Sequence, residues 1–275
     1  MSIRRLIEPV VRAPIWFVAC LVAVTILAYP ALRRIVLQVE VTPPQRGHAV
    51  AVRAGCFDCH GPDGTGGIAN PGSKDGEVPG FTGGTLMMFV KTEAEVREYI
   101  LDGAPARKQA DPRYKPQMEM QVLAMPAYKD YLSVAEVDDL VAYLRVVSGL
   151  IVPEAPLPAR GQELAIKLGC FHCHGPMGSG GGSNLGSFKG YIPGWWGNDF
   201  RELVRDDGEL RAWIRDGTIA RLRDHPIAHY FVEWQRVYMP AFKDFISDAD
   251  LDALVAYVNW VHAGDWRDQP LEPGH

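Results

Sequence analysis

Two five-residue stretches, 114 positions apart, constrain this chain more than anything else in it: Cys56-Phe57-Asp58-Cys59-His60 and Cys170-Phe171-His172-Cys173-His174. Two cysteines three apart, with a histidine directly after the second, can bond covalently to both vinyl groups of one haem while the imidazole faces the iron. The same spacing also occurs in half a zinc site and in a redox dithiol. A structural zinc needs four ligands, and each copy offers only two cysteines and one adjacent histidine. The histidine, and the methionine pairing described below, weigh against a dithiol. The motifs therefore predict two covalently bound haem c groups.

The flanking sequence keeps the same offset without a gap. Arg46-Gly47 matches Arg160-Gly161, and Val78-Pro79-Gly80-Phe81 matches Ile192-Pro193-Gly194-Trp195. Met125-Pro126-Ala127-Tyr128-Lys129-Asp130 matches Met239-Pro240-Ala241-Phe242-Lys243-Asp244. A period this long means two whole domains rather than a solenoid, and 275 residues is about the length of two. The expected organisation is an N-terminal anchor at 1–34, a tether at 35–45, a first domain at 46–149, a Pro-rich linker at 150–159, a second domain at 160–264 and a tail at 265–275. Units this small have a limited apolar core. A buried haem would complete it, so the chain without haem is expected to fold poorly.

The pattern inside each copy is all-α: helix, haem motif, glycine-rich loop, helix, long loop with a methionine, helix. The first helix is expected to run up to Gly55 or Gly169. Thr92 with Glu95, and Asp206 with Glu209, are start signals for the middle helix; Gly103 and Gly217 are its stop signals. The last helix opens at Ser133 with Glu136 and at Ser247 with Asp250. Its apolar positions, 137, 140, 141 and 144 with 251, 254, 255 and 258, lie on one helical face. Little strand signal is present.

Of the eight methionines, only Met125 and Met239 form an equivalent pair, each 65 residues after its motif histidine. Met87, Met88, Met118, Met120 and Met177 align with residues that are not methionine. A proline follows each member of the pair and restricts the local backbone. His225 and His229 are four apart, but Pro226 interrupts a regular helix between them, which weighs against a metal site. Copy two is also richer in aromatic residues, which suits either a shield around a cofactor or a contact surface.

Ahead of the domains, residues 13–32 form a 20-residue stretch without charge, flanked by Arg4, Arg5 and Arg12 on one side and Arg33 and Arg34 on the other. That length suits a single transmembrane helix. A cleaved signal peptide is the rival, but the apolar region is long for one and no small-x-small site follows it. Cys20 lies within the stretch and is read as an inert bilayer-facing thiol. Both repeats are mildly acidic and the net charge is −5. No basic block that could track phosphates is present, which excludes nucleic acid as an expected partner.

This order of elements resembles the class I cytochrome c fold over residues 46–149 and 160–264. The resemblance rests on Cys56-x-x-Cys59-His60 with Met125 and on Cys170-x-x-Cys173-His174 with Met239. It implies a small helical domain around one haem, with His60 and Met125 as axial ligands in one copy and His174 and Met239 in the other. In the family, a proline carbonyl in the loop after the motif accepts the N–H of the ligating imidazole. Pro79 and Pro193, each 19 residues after its histidine, are the candidates here; simple turn prolines are the rival reading. An anchor followed by two such domains also resembles membrane-bound dihaem cytochromes, including subunits of bacterial terminal oxidases and of quinol-oxidising complexes.

The expected function is electron transfer. Six filled coordination positions leave no open site for a substrate, so no catalytic residue is assigned. The chain would take electrons from a membrane dehydrogenase or quinol-oxidising complex and deliver them to a soluble carrier, oxidase or reductase. Covalent haem assembly takes place outside the bacterial cytoplasmic membrane, which puts both domains on the periplasmic side. A dihaem enzyme (a peroxidase or a sulfur-compound oxidoreductase) and a haem-based sensor are the rival classes.

Overall fold

The computed structural model describes residues 16–28 and 41–269. It divides into two units, Met1–Glu40 and Val41–His275. In the first unit, residues 16–28 form a helix (α1) whose apolar side chains, among them Trp16, Phe17, Leu21 and Ile26, are exposed. The rest of the expected 13–32 span, its flanking arginines and the tether up to residue 40 lie outside the described residues. Among the described residues, no helix is long and apolar enough to cross a membrane.

The second unit holds both repeats. The first contains α2 (Pro43–Arg53), α3 (Cys56–His60), α4 (Glu93–Asp102), α5 (Ala106–Gln109), α6 (Tyr114–Met120) and α7 (Val134–Val147). The second contains α8 (Pro156–Lys167), α9 (Cys170–His174), α10 (Gly197–Leu203), α11 (Asp207–Asp216), α12 (Ala220–Arg223), α13 (Ala228–Trp234) and α14 (Asp248–Ala263). Among the described residues, β pairing is limited to two isolated bridges, Ala69–Glu77 and Ser183–Tyr191.

The predicted helix ends have the expected chemistry. Thr92 Oγ1 accepts the Glu95 N–H at 3.3 Å to open α4, and Asp206 Oδ1 accepts the Glu209 N–H at 2.9 Å to open α11. Ser133 with Glu136, and Ser247 with Asp250, form reciprocal capping boxes. Gly103 and Gly217 close α4 and α11 in the left-handed conformation. Val137, Leu140, Val141 and Leu144 on α7 are buried, as are Leu251, Leu254, Val255 and Val258 on α14.

Two expectations need correction. Pro43-Pro44 and Pro156-Leu157-Pro158, which fall within the expected tether and linker, stand in the first turns of α2 and α8. The first N–H groups of a helix have no partner within it, so proline costs little there and starts a helix rather than interrupting one. The long methionine loop of each copy also contains two short helices, α5 and α6 or α12 and α13. None of them buries a residue, so they leave no apolar periodicity to read.

In each domain the first helix packs against the last, α2 on α7 and α8 on α14, and a glycine permits the close approach. A Cβ on Gly47 would stand 1.9 Å from the Asp139 carbonyl oxygen; on Gly161 it would stand 2.0 Å from that of Ala253. Gly47→Ala or Gly161→Ala must therefore push two helix backbones apart. Each should cost about 2–3 kcal/mol, in the range for overpacking a core. An unchanged thermal unfolding midpoint in either variant would show that this contact is loose.

The two domains are joined where their sequences depart from the repeat. Gln45 Nε2 donates to the Ser179 carbonyl at 2.9 Å. Arg145 pairs with Glu93 at 2.6 Å and donates to the carbonyls of Trp266, Arg267 and Gln269 at 3.3, 3.1 and 2.5 Å. The counterpart of Arg145 in copy two is Asn259, which bonds Asp207 at 2.9 Å, the counterpart of Glu93. Thus the arginine does inside its own domain what the asparagine does in the other, and its longer reach also holds the start of the C-terminal tail. Trp266 in that tail is buried against Trp196, with ring centroids 4.8 Å apart.

Candidate functional site

Each haem motif occupies one short helical turn, α3 or α9, entered through a glycine in the left-handed conformation, Gly55 or Gly169. Residues three apart lie on one face of a turn, which brings the two cysteines of each motif to the same side. Burial pushes the Cys56 thiol up from its ordinary pKa and the Cys170 thiol up to about 11. Such thiols stay protonated at neutral pH, unlike the low-pKa thiols of redox dithiols. Gly61 and Gly175 turn the chain tightly against its own loop, near Gly66 and Gly180.

The imidazole of each motif is fixed on two sides. His60 Nδ1 lies 2.6 Å from the Pro79 carbonyl oxygen, and His174 Nδ1 lies 3.0 Å from that of Pro193. A carbonyl oxygen can only accept, so Nδ1 carries the proton and donates, leaving Nε2 with a free lone pair. The His60 ring packs on Phe81 at 5.3 Å and the His174 ring on Trp195 at 5.4 Å. Behind them stand Phe57 and Tyr143 in the first domain, and Phe171 and Tyr257 in the second. Burial lowers the pKa of both histidines, partly offset by the proline carbonyls. Both rings are therefore neutral at neutral pH, the state in which imidazole binds a metal.

Met125 and Met239 lie outside the helices, in the segments that lead into α7 and α14, and both pack against the buried core. The Tyr128 N–H donates to Ile100 O at 3.0 Å and the Lys129 N–H to Leu101 O at 3.2 Å. The second copy repeats this with Phe242 to Ile214 and Lys243 to Arg215, both at 3.1 Å. In the first domain an apolar cleft is lined by Cys56, Ile100, Met125, Tyr128, Leu140 and Leu144, among others. The cleft brings a motif cysteine and the predicted methionine to one space. Met88 and Met120, which lack counterparts, are exposed, and Met177 is buried with its carbonyl accepting the Trp196 indole N–H at 2.9 Å.

These residues fit a haem. The walls are apolar, as a flat macrocycle needs. A neutral imidazole nitrogen and a thioether sulfur are the donors that hold haem iron in cytochromes. By contrast, His225 and His229 do not build a metal site. His225 Nδ1 accepts the N–H groups of Ile227 and Ala228 at the start of α13, and the His229 ring faces the His225 carbonyl. Among the described residues, no group of three or more histidine, cysteine or acidic side chains could hold a metal ion.

The sequence reading passed over Asn70 and Asn184. Both are buried in the loop between the motif and the proline, and both bond the backbone just ahead of the methionine. Their signal was present: Asn70, Gly72, Ser73 and Gly76 recur as Asn184, Gly186, Ser187 and Gly190 at the common offset. The copies also differ in this loop. In copy two, Lys189 pairs with Asp199 and, at 2.6 Å, with Glu202, while Tyr191 donates to Asp199. Copy one has Asp75, Thr85, Met88 and Glu77 at those places. The added aromatic residues of copy two divide: Trp195 and Trp196 are core, whereas Tyr230, Trp234 and Tyr238 are exposed.

The family model described as Cytochrome c matches residues 44–148 and 158–262. The Cbb3-type cytochrome c oxidase subunit FixP of Azorhizobium caulinodans is 29% identical over 217 residues, which cover 78% of this chain and 59% of that protein. The chain thus spans less than two thirds of that relative's length. A chain of the reducing HAO-like protein complex of Kuenenia stuttgartiensis aligns at 16% identity and a TM-score of 0.25, covering 82% of this chain and 100% of the other. That likeness is too slight to bear on fold or function.

Proposed function

Because the chain belongs to the cytochrome c family and carries two covalently bound haem c groups, we propose that it is a membrane-anchored electron carrier. It takes electrons from a membrane dehydrogenase or quinol-oxidising complex and passes them to a soluble carrier, oxidase or reductase. Cys56 and Cys59 attach the first haem and Cys170 and Cys173 the second. His60 with Met125, and His174 with Met239, would hold the two irons. Each haem supplies an iron that alternates between ferrous and ferric states.

One observation carries this reading. In both copies an imidazole is fixed with Nε2 free, and a methionine stands on a segment held at both ends by backbone hydrogen bonds. With both donors bound in either oxidation state, no position would be open for a substrate. Gln45 of the first domain bonds Ser179 of the second, five residues after His174, which favours transfer between the haems. The relative's description as an oxidase subunit supports a place in a terminal oxidase complex. The exposed apolar residues of α1 support the anchor; the haem domains would lie on the periplasmic side, where covalent haem assembly takes place.

Purification from native membranes in mild detergent tests the reading. The chain should co-purify with an oxidase, a reductase or a quinol-oxidising complex, and its ferric spectrum should be fully low-spin. A chain lacking residues 1–34 should be released from membranes that retain the full chain. Rapid peroxide binding by a high-spin ferric fraction would overturn the carrier in favour of an enzyme or sensor. Equal release of both chains would overturn the anchor.

A further inference from the structure

We propose that Asn70 and Asn184 are positioning residues that hold Met125 and Met239 in place, each acting through the backbone two residues before the methionine. The proposal rests on the reading of those methionines as axial ligands. Thioether sulfur is a weak neutral donor, so its bond to ferric iron persists only if the surrounding chain keeps it there. What fixes the methionine segment is therefore part of the ligand set.

The geometry is the same in both copies. Asn70 is 3% exposed and Asn184 is 4% exposed. Asn70 Nδ2 donates to Leu123 O at 3.0 Å, and its Oδ1 accepts the Leu123 N–H at 2.8 Å. The side-chain amide thus satisfies both backbone groups of one residue. Asn184 does the same to Val237, with both distances 3.0 Å. It also accepts the Arg236 N–H at 3.1 Å and donates to Gln235 Oε1 at 3.2 Å. Each asparagine is itself anchored in a turn: the Asn70 N–H donates to Gly76 O at 2.8 Å, and that of Asn184 to Gly190 O at 3.0 Å.

On the far side of the methionine, the bonds from residues 128 and 129 to α4, and from 242 and 243 to α11, form the second fixed point. Between the two points, Gly103 lies so close that a Cβ there would stand 2.5 Å from the Met125 carbonyl oxygen; the corresponding distance from Gly217 to Met239 is 2.4 Å. The methionine backbone is therefore pinned ahead, behind and against the end of the middle helix. The loop that presents Pro79 or Pro193 to the histidine supplies the amide together with one backbone acceptor, Pro71 O for the Val122 N–H at 3.0 Å and Leu185 O for the Arg236 N–H at 2.9 Å. A single loop thus sets the imidazole on one side and, through the asparagine, the thioether on the other.

Removing the amide leaves a buried N–H and C=O without partners, and exposure of that segment to water relieves them. The full-length, haem-loaded protein in detergent tests this. Asn70→Leu should lose the first domain's share of the methionine–iron charge-transfer band and bind cyanide about tenfold tighter, the change expected from losing two such bonds. Far-UV circular dichroism and the count of two haems should be unchanged. Asn184→Leu should do the same for the second domain, more strongly, because four contacts are lost. Met125→Ala and Met239→Ala are run beside them. If those abolish the band while both leucine variants keep the native band and cyanide affinity, the positioning role is overturned and ligation stands. If the alanine variants leave the band intact, the ligand reading itself fails, and the proposal with it. Should a leucine variant not assemble, Asn70→Ser and Asn184→Ser, which leave room for bridging water, should show a smaller change in the same direction; unchanged cyanide affinity there overturns the proposal.

Discussion

The double variant Cys170→Ser, Cys173→Ser should carry one covalent haem instead of two, and its second domain should lose its cooperative unfolding transition. The reason lies in how that domain is filled. Its helices α8 and α14 meet through Gly161, and Trp195, Leu254 and Tyr257 are buried. Phe171, Met239, Phe242 and Ile246 pack against that core but are only partly buried. They would form the rim that a haem macrocycle completes. Fully burying one leucine-sized group contributes about 2 kcal/mol. The macrocycle covers several such groups, so its loss should be comparable with the whole stability of a small domain, about 5 kcal/mol or more.

The damage should also reach the first domain. Ser179 and the carbonyls of residues 266, 267 and 269, which accept from Gln45 and Arg145, all belong to the second repeat or its tail. With that partner unfolded, Arg145 keeps only Glu93, and the first domain's transition should shift to lower temperature while its own haem remains. Mass spectrometry of the denatured chain counts covalent haem, and calorimetry separates the two transitions. A variant that keeps two haems, or that unfolds as sharply as the native protein, would show that the cysteines do not build this core.

How much of this was legible in the sequence depends on whether each feature is local and repeated. The motif cysteines and histidines are adjacent in the chain, and Met125 and Met239 stand out because one offset relates them. The capping residues Thr92, Ser133, Asp206 and Ser247 could be read because a cap acts within four residues. Pro156 and Pro158 were misread because a proline in a linker and a proline in a first helical turn look alike until the following residues are seen to form a helix. Asn70 and Asn184 obeyed the offset, yet a buried amide differs from a surface one only in its partner 53 residues away. The domain contact was illegible for the opposite reason. Arg145 is not repeated, since Asn259 stands at its counterpart, the tail carbonyls lie outside the repeats, and backbone acceptors leave no mark in side-chain identity.

Replacing both predicted axial methionines, Met125→Ala with Met239→Ala, should change the irons' electronic state while leaving the covalent haems in place. His60 and His174 remain fixed to Pro79 and Pro193, so the imidazole side of each site is retained. On the other side the alanine methyl reaches no donor position, and water or an added anion can enter. Thioether sulfur favours ferrous iron and raises the potential. Its loss should therefore lower both midpoint potentials by at least ~0.1 V, within the span of about 0.8 V that axial ligands set. The methionine–iron charge-transfer band should vanish, a high-spin ferric signal should appear in electron paramagnetic resonance, and cyanide should bind rapidly. The single variants should each remove half of that band, which assigns one potential to each domain. Such a protein would have the open iron that an enzyme or sensor needs and the intact one would not, so the comparison also separates the carrier from its rivals. If optical and magnetic spectra were the same with and without these two side chains, a different sixth donor would be in place, and the closed coordination that makes the chain a carrier would have to be sought elsewhere in the segments between α4 and α7 and between α11 and α14.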